Sequence, residues 1–183
     1  MKRSRETNSL IAIGIVGLII LFGAPSTLDL FSVISLTTAV SLAILALSLG
    51  LIWGFGGILC FGQTAFFGIG GYAYAIAALN FGGSTGAIVA ALLIAAAAAA
   101  VLGYFMFYGR LSDVYLAVIT LTVTLILYSV IRRTSGPEYK IGIAKLGGFN
   151  GINVPPINYP WDATQFLYPE HVFYVAMVAL LLA

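Results

Sequence analysis

Five apolar segments, each close to the length that crosses a lipid bilayer, follow one another along most of this chain. They cover residues 10–24, 34–53, 58–79, 87–108 and 114–131. A transmembrane helix needs about 20 apolar residues to cross the hydrocarbon core. Of all residues, 61% are hydrophobic and 8% are charged, whereas a soluble domain carries about 25% charged residues. The sequence therefore predicts an all-α, multi-pass (polytopic) membrane protein.

A sixth apolar segment starts at Val172 and is still apolar at Ala183. It is too short to cross the membrane, so we expect about five complete transmembrane helices and the start of a sixth. On this interpretation the chain is the N-terminal fragment of a longer protein, and residues 1–183 form a single transmembrane domain. Residues 132–171, which glycine and proline interrupt, are predicted to be an extramembrane loop of short helices or turns. Shorter connections are expected at residues 25–32, 82–86 and 109–113.

Charges near the N-terminus predict the orientation of the chain. Lys2, Arg3 and Arg5 precede the first apolar segment, and Pro25 makes the end of that segment a poor signal-peptidase site. We therefore expect an uncleaved first span and a cytoplasmic N-terminus. Five crossings then place the cations of the long loop outside, against the positive-inside rule. A half-crossing third segment would remove this conflict, but five ordinary crossings are the simpler arrangement.

A glycine-rich stretch at residues 53–80 is both apolar and unfavourable for a lipid-facing helix. It contains seven glycines, of which Gly54, Gly56 and Gly57 interrupt a long apolar run. Each glycine costs about 1 kcal/mol relative to alanine inside a helix. Backbone groups freed by a break must be satisfied by protein or by water in a cavity, and transporters use such breaks at substrate sites. We predict a broken helix near residues 54–63, which belongs to a substrate path or is an ordinary interfacial turn.

Polar side chains near this break are the first candidates for a substrate path. Gln63 and Thr64 suit a polar solute or an interhelical hydrogen bond. Thr120, Thr122 and Thr124 alternate rather than share one helical face, and a threonine can satisfy its hydroxyl on the carbonyl four residues back. The candidates from this part of the argument are Gly54, Gly56, Gly57, Gly62, Gln63, Thr64 and Thr120.

Two further groups of small residues are candidates for close contacts. Small residues occur at every fourth position at Ala46, Gly50 and Gly54. They form a face that packs on another helix, or they are a chance pattern in a glycine-rich chain. The long loop contains a cluster of turn residues at Gly147, Gly148, Asn150 and Gly151. This cluster is a tight turn that allows close approach of a partner, or it is a plain connector.

Signatures of enzymes and of bound cofactors are missing from the sequence. It has no P-loop motif for ATP, and its single His171 and single Cys60 do not provide a metal site. We expect Cys60 to be a small core residue. No acidic residue lies within an apolar segment, and a net charge of +2 does not indicate a nucleic-acid partner. We therefore expect neither an enzyme nor a metal or cofactor in this chain.

Three blocks of the sequence resemble a known transporter family. Residues 45–75 are similar to the signature segment of the high-affinity branched-chain amino acid permeases of the LivM type, and residues 113–121 and 147–152 resemble two later blocks of that family. The blocks occur in the family's order and span most of the chain. Tyr72 closes the glutamine-containing block and becomes a further substrate-path candidate. Gln63 stands where the family commonly has histidine, and Leu146 replaces a threonine before the two glycines.

The resemblance implies a set of partners and a location. The chain would be one of two membrane subunits of an ABC importer in the bacterial inner membrane, paired as a heterodimer with a second permease subunit. Two ATPase subunits would drive transport, and a periplasmic substrate-binding protein would deliver the solute. Permeases for urea and short amides share the same blocks, so the solute stays open between branched-chain amino acids and these compounds. The family's ATPase-coupling loop belongs to the second half of such a chain.

Two other hypotheses fit the apolar composition. The chain could be a self-sufficient secondary transporter or channel whose pore is lined by the polar residues of the broken segment. It could also be a non-transporting assembly subunit, in which the small-residue faces serve helix packing alone. The absence of a buried acidic residue weighs against ion-coupled transport.

Overall fold

A computed structural model describes the backbone of residues 2–183 and the side chains of residues 14–162 and 164–183. Over this range the helices are α1 Lys2–Thr27, α2 Leu30–Gly56, α3 Gln63–Phe81, α4 Ser84–Tyr108, α5 Asp113–Arg133 and α6 Pro169–Leu182. The four helices α2 to α5 are long and apolar enough to cross a membrane, while Gly14–Thr27 and Pro169–Leu182 are shorter apolar helices. The predicted all-α polytopic fold is thus confirmed. The side chains of Lys2, Arg3 and Arg5, on which the predicted orientation depends, lie outside the described side chains.

The described chain divides into two compact units. The first contains Met1–Leu47 and Leu167–Ala183, and the second contains Ser48–Phe166, so α2 contributes to both. In the first unit, Val33 of α2 and Phe173 of α6 are almost completely buried. They pack with Leu21 of α1 and Met177 of α6 in one apolar cluster. The single transmembrane domain over residues 1–183 stays a prediction.

The connection between α1 and α2 is shorter than the expected 25–32, because α1 continues through Pro25 to Thr27. Proline has no backbone N–H and frees a carbonyl in a helix. For Pro25 that carbonyl belongs to Leu21, four residues back. The hydroxyl groups of Ser26 and Thr27 donate to a different carbonyl of the last turn, that of Gly23, at 3.0 and 2.8 Å. Asp29 then precedes α2 and accepts hydrogen bonds from the hydroxyl and the backbone N–H of Ser32, at 2.7 and 3.3 Å.

Helices α3, α4 and α5, with the end of α2, form the apolar part of the second unit. The turn between α3 and α4 consists of Gly82 and Gly83 rather than the expected 82–86, since α4 begins at Ser84. Gly82 has a φ of +71°, which favours glycine. Antiparallel α3 and α4 pack through small side chains, with Ala77 and Ala87 buried between them.

Residues between α5 and α6 form hairpins, where short helices or turns were expected. Strand β1 (Lys140–Ile141) pairs antiparallel with β2 (Ala144–Lys145), and β3 (Asn158–Tyr159) pairs antiparallel with β4 (Asp162–Phe166). A 3₁₀ turn at Gly148–Asn150 lies between the hairpins. Strands β1, β2 and β3 have two residues each, which is too few to show alternation in a sequence.

Polar side chains at the ends of α3 and α4 fix these hairpins. The Asn80 side chain donates to the Ile141 carbonyl at 3.0 Å and accepts from the Ile143 N–H at 3.0 Å. The Ser84 N–H donates to Asn158 Oδ1 at 2.7 Å, and the Ser84 hydroxyl donates to the Asn158 carbonyl at 3.0 Å. The hairpins therefore lie at the end of the second unit where α3 ends, α4 begins and α5 ends.

Candidate functional site

The predicted break in the glycine-rich segment is present. Helix α2 ends at Gly56, Gly57 has a φ of +66°, and α3 begins at Gln63. The residues between the two helices are not helical, so their N–H and C=O groups lack the usual partners within a helix. Because an unpaired backbone group is costly inside a membrane, the partners of this segment determine how the break is held.

Two threonines of α5 hold the break by its backbone. The N–H of Phe61 donates to Thr120 Oγ1 at 3.1 Å. The single hydroxyl proton of Thr124 is shared between the Thr120 carbonyl of its own helix, at 2.8 Å, and the Phe61 carbonyl, at 3.2 Å. Thr120 is 1% exposed. Its hydroxyl also donates to the Leu116 carbonyl on its own helix at 2.9 Å, which agrees with the expected i−4 bond. We call this pair of contacts between α5 and Phe61 the threonine clamp.

Gly62 allows the close approach that the threonine clamp needs. A Cβ at Gly62 would lie 3.4 Å from the Cβ of Thr120, 3.3 Å from the Phe66 ring and 3.5 Å from the sulfur of Cys60. The contact with the Phe66 ring would be tighter than usual, and the other two would be close to ordinary van der Waals contact. The absence of a side chain at Gly62 thus lets the broken segment lie against α5.

A cavity of about 470 Å³ lies between α3 and α5, next to the break. Its volume falls within the range of about 300–1,000 Å³ found for small-molecule sites. It is lined by Thr64, Ala65, Gly68, Ile69 and Tyr72 of α3, by Thr124, Leu125, Leu127, Tyr128, Ile131 and Arg132 of α5, and by Gly148, Phe149 and Gly151. Aliphatic and aromatic side chains together form most of this wall, and hydroxyl groups and one guanidinium add polar positions.

The polar positions of α5 recur at every fourth residue. Thr120, Thr124, Tyr128 and Arg132 follow this spacing, which places them on one side of a helix. Thr120 and Thr124 hold the break, whereas Thr124, Tyr128 and Arg132 line the cavity. Between Thr124 and Arg132 the cavity extends about 12 Å along α5, at 1.5 Å per residue. This four-residue spacing is the sequence signal that identifies the α5 wall, whereas the alternate positions of Thr120, Thr122 and Thr124 do not.

Arg132 lies at the end of the cavity that faces the hairpins. Its guanidinium carbon is 5.2 Å from the centroid of the Phe149 ring, over the ring face. The Arg132 side chain is exposed, and within the described side chains no carboxylate forms an ion pair with it. From the sequence, Arg132 is one of the cations of the long loop. The cavity that it lines forms only where α3 packs on α5, so its place in the candidate site is not evident from the sequence.

The predicted substrate-path residues are only partly brought together. Thr64 and Tyr72 line the cavity, as do Gly148 and Gly151 of the loop cluster, whereas Gln63 is half-buried just before Thr64 and outside the lining. The other candidates lie outside the lining as well: Gly54, Gly56 and Gly57 at the end of α2 and in the break, Gly62 and Thr120 at the threonine clamp, and Gly147 and Asn150 in the loop. The functional roles of all these residues stay predictions.

Glycines of the loop cluster have a structural reason to be glycine. Gly147, Gly148 and Gly151 have φ values of +72°, +54° and +74°, a conformation that other residues rarely adopt. A Cβ at Gly148 would lie 2.6 Å from the Ser135 Cβ. These glycines therefore allow the 3₁₀ turn to fold back on the end of α5 and bring Phe149 against Arg132.

The predicted packing face of α2 is open in this structure. Ala46, Gly50 and Gly54 are exposed, and a Cβ at either glycine would meet nothing within 4 Å among the described residues. Packing of this face stays a prediction.

A second cavity of about 720 Å³ adjoins the first and shares Ile69, Tyr72 and Ile131 with it. The second cavity has an almost wholly aliphatic and aromatic wall, with the polar side chains of Asn80 and Thr134 at the hairpin end. Groups of three or more His, Cys, Asp or Glu side chains that could hold a metal ion do not occur where the structure describes side chains.

Comparison with known proteins identifies the family. The sequence model of the branched-chain amino acid transport system permease component matches residues 31–183. No curated protein and no solved structure gives a match. The matched range includes the break, the threonine clamp and the cavity. On the strength of this match over most of its length, the chain belongs to the branched-chain amino acid transport permease family.

Proposed function

We propose that this chain is a membrane subunit of an ABC importer, and that it translocates branched-chain amino acids or a related small polar solute such as urea or a short amide. The observation that carries the proposal is the cavity between α3 and α5, which ends beside a broken helix in a permease of this family. A largely apolar wall with a few hydroxyl groups suits a solute with an apolar body and a polar end.

The hydrogen bonds of the threonine clamp are weak enough to let the broken segment move relative to α5. The two hydrogen bonds to Phe61 join segments that are not otherwise part of one helix. Interhelical hydrogen bonds in membranes contribute about 0.6 kcal/mol on average, so modest free energies separate alternative positions of the segment. Movement of α3 against α5 would change the cavity at Thr64 and Tyr72, which lie on the α3 side. Alternating access of the site requires such a movement.

Partner subunits supply what the chain lacks in sequence. Two ATPase subunits would drive the cycle, a second permease subunit would complete the pore as a heterodimer, and a periplasmic binding protein would deliver the solute. The chain itself would then be no enzyme and would need no cofactor. It would lie in a bacterial inner membrane with its N-terminus in the cytoplasm, which places the hairpins at the periplasmic face.

Uptake into vesicles tests this function. The full-length permease, reconstituted with its ATPase subunits, second permease and binding protein, is expected to accumulate leucine only with ATP inside the compartment that holds the ATPases. A Walker-motif variant of the ATPase subunits is the control and should abolish uptake. Accumulation by the purified permease alone without ATP would contradict the proposal and favour a secondary transporter or channel.

A further inference from the structure

We infer that Arg132, whose guanidinium lies over the Phe149 ring, is the position at the mouth of the cavity that recognises a carboxylate. The inference rests on the proposed function, and it narrows the substrate class to solutes with a carboxylate on a compact aliphatic body. Neutral solutes such as urea and short amides would then be excluded at this position.

The position of Arg132 carries the first step. It belongs to the last turn of α5, lines the cavity beside Ile131 and Tyr128, and lies over the Phe149 ring at 5.2 Å. Within the described residues no hydrogen bond or ion pair engages its guanidinium, so the planar fork of N–H groups is available to a ligand. That fork matches the two oxygens of a carboxylate.

The second step is that no nearby carboxylate neutralises the positive charge of Arg132 within the described side chains. Within the described side chains Arg132 has no ion pair, and the residues that line the cavity include no Asp or Glu. The Arg132 side chain is exposed, so a solute that enters the cavity can reach its guanidinium. The cavity is therefore positive at its mouth and apolar along its length.

The rest of the wall carries the third step. Below Arg132, Leu125, Ile131 and Ile69 offer aliphatic contacts, while Thr64, Tyr72 and Tyr128 contribute hydroxyl groups. This arrangement suits a molecule with a carboxylate at one end and a branched aliphatic group at the other. Aliphatic α-amino acids and simple aliphatic carboxylates share this chemistry, and they differ in the ammonium group.

Direct binding to the permease complex without its binding protein tests the inference. The two-permease, two-ATPase complex in nanodiscs is titrated with L-leucine, 4-methylpentanoate and L-leucinamide, and binding is followed by saturation-transfer NMR. The amino acid and the simple carboxylate are distinguished by their affinities, and leucinamide lacks the carboxylate. We expect leucine, 4-methylpentanoate or both to bind the wild type, and leucinamide to bind at least about ten-fold more weakly than the tighter of the two.

Substitutions at Arg132 and its neighbour complete the design. Arg132→Gln should weaken carboxylate binding at least about ten-fold, which corresponds to about 1.4 kcal/mol, and Arg132→Lys should retain part of it. Arg133→Gln is the matched control, since Arg133 is the adjacent exposed cation of α5 but does not line the cavity. Size-exclusion profiles of all variants report folding.

Three results would overturn the inference: no carboxylate binding by the wild type, equal affinity for leucinamide, or equal losses in the Arg132→Gln and Arg133→Gln complexes. ATP-driven uptake is measured separately with the binding protein present. Failure of the wild type to transport would refute the proposed function, whereas the binding data decide the role of Arg132.

Discussion

Replacing Thr120 with valine tests whether the threonine clamp holds the broken helix. Valine keeps the shape of threonine but cannot accept the hydrogen bond from the Phe61 N–H, which is 3.1 Å long in the wild type. The main-chain carbonyl of Leu116, to which the hydroxyl also donates, keeps its helical partner. The perturbation therefore concentrates on one backbone donor in a membrane segment.

The expected cost of Thr120→Val follows from that lost bond. Leaving a buried donor unpaired costs about 1–3 kcal/mol, whereas interhelical hydrogen bonds in membranes average about 0.6 and reach about 1.7 kcal/mol. The clamp contact is partly buried, so we expect a loss of about 1 kcal/mol. For a chain of this size the melting temperature should fall by about 2–4 °C.

Hydrogen exchange and thermal unfolding of the protein in nanodiscs measure the effect locally and globally. With about 1 kcal/mol less protection, the Phe61 amide should exchange about five-fold faster in Thr120→Val. Thr122→Val is the matched control, because the Thr122 hydroxyl is exposed and, within the described residues, bonds only the Val118 carbonyl of its own helix. The reasoning is refuted if both variants exchange at Phe61 and melt as the wild type does, or if both are affected equally.

Three further predictions concern the close approach at the break, the attachment of the hairpins and the start of α2. Gly71→Ala should stabilise α3 by up to about 1 kcal/mol, because the new Cβ would meet nothing within 4 Å. Gly62→Ala should lose that gain, because its Cβ would crowd the threonine clamp. The melting temperatures of the two variants should therefore diverge, and equal shifts would contradict the close packing at Gly62. Ser84→Ala removes the hydroxyl that bonds the buried Asn158 backbone and should cost about 1–3 kcal/mol, with faster proteolysis at residues 160–162; cleavage at the wild-type rate would argue against this anchor. Hydrogen bonds from the Ser32 hydroxyl, the larger cause, and from the Ser32 N–H hold the pKa of Asp29 below its usual 3.8. This cap therefore stabilises α2 above pH 3.8 and is lost as the pH falls through the lowered pKa. An NMR titration should show that Ser32→Ala raises the pKa of Asp29, and an unchanged pKa would refute the assignment of its cause.

Much of the fold was predictable because the membrane imposes simple rules on sequence. The apolar runs that became α2, α4 and α5 were identified by their length, and the break was identified because glycine is unfavourable in a helix. Pro25 was misread as a loop residue. Helix α1 continues through Pro25 and ends two residues later at Thr27, and residue type alone does not reveal whether a proline this close to a helix end lies inside the last turn or after it.

The candidate site was harder to predict because it depends on which helices meet. Thr64 and Tyr72 were recognised from the glycine-rich block, but Tyr128 and Arg132 become site residues only when α3 lies along α5. Phe149 joins them through a glycine turn with positive φ angles. No periodicity within one segment encodes these contacts, since each involves elements that are distant in the chain.

The spacing of the polar residues on α5 connects the break with the cavity. Thr120 and Thr124 bond Phe61, and Tyr128 and Arg132 follow at four-residue intervals on the same side of the helix. A helix transmits displacement along its length because its backbone bonds keep it rigid. Rotation of α5 that released Phe61 would therefore also turn Arg132 relative to α3. The threonine clamp and the mouth of the cavity are about 18 Å apart along this helix. We therefore expect a movement of α5 that changes one of them to change the other.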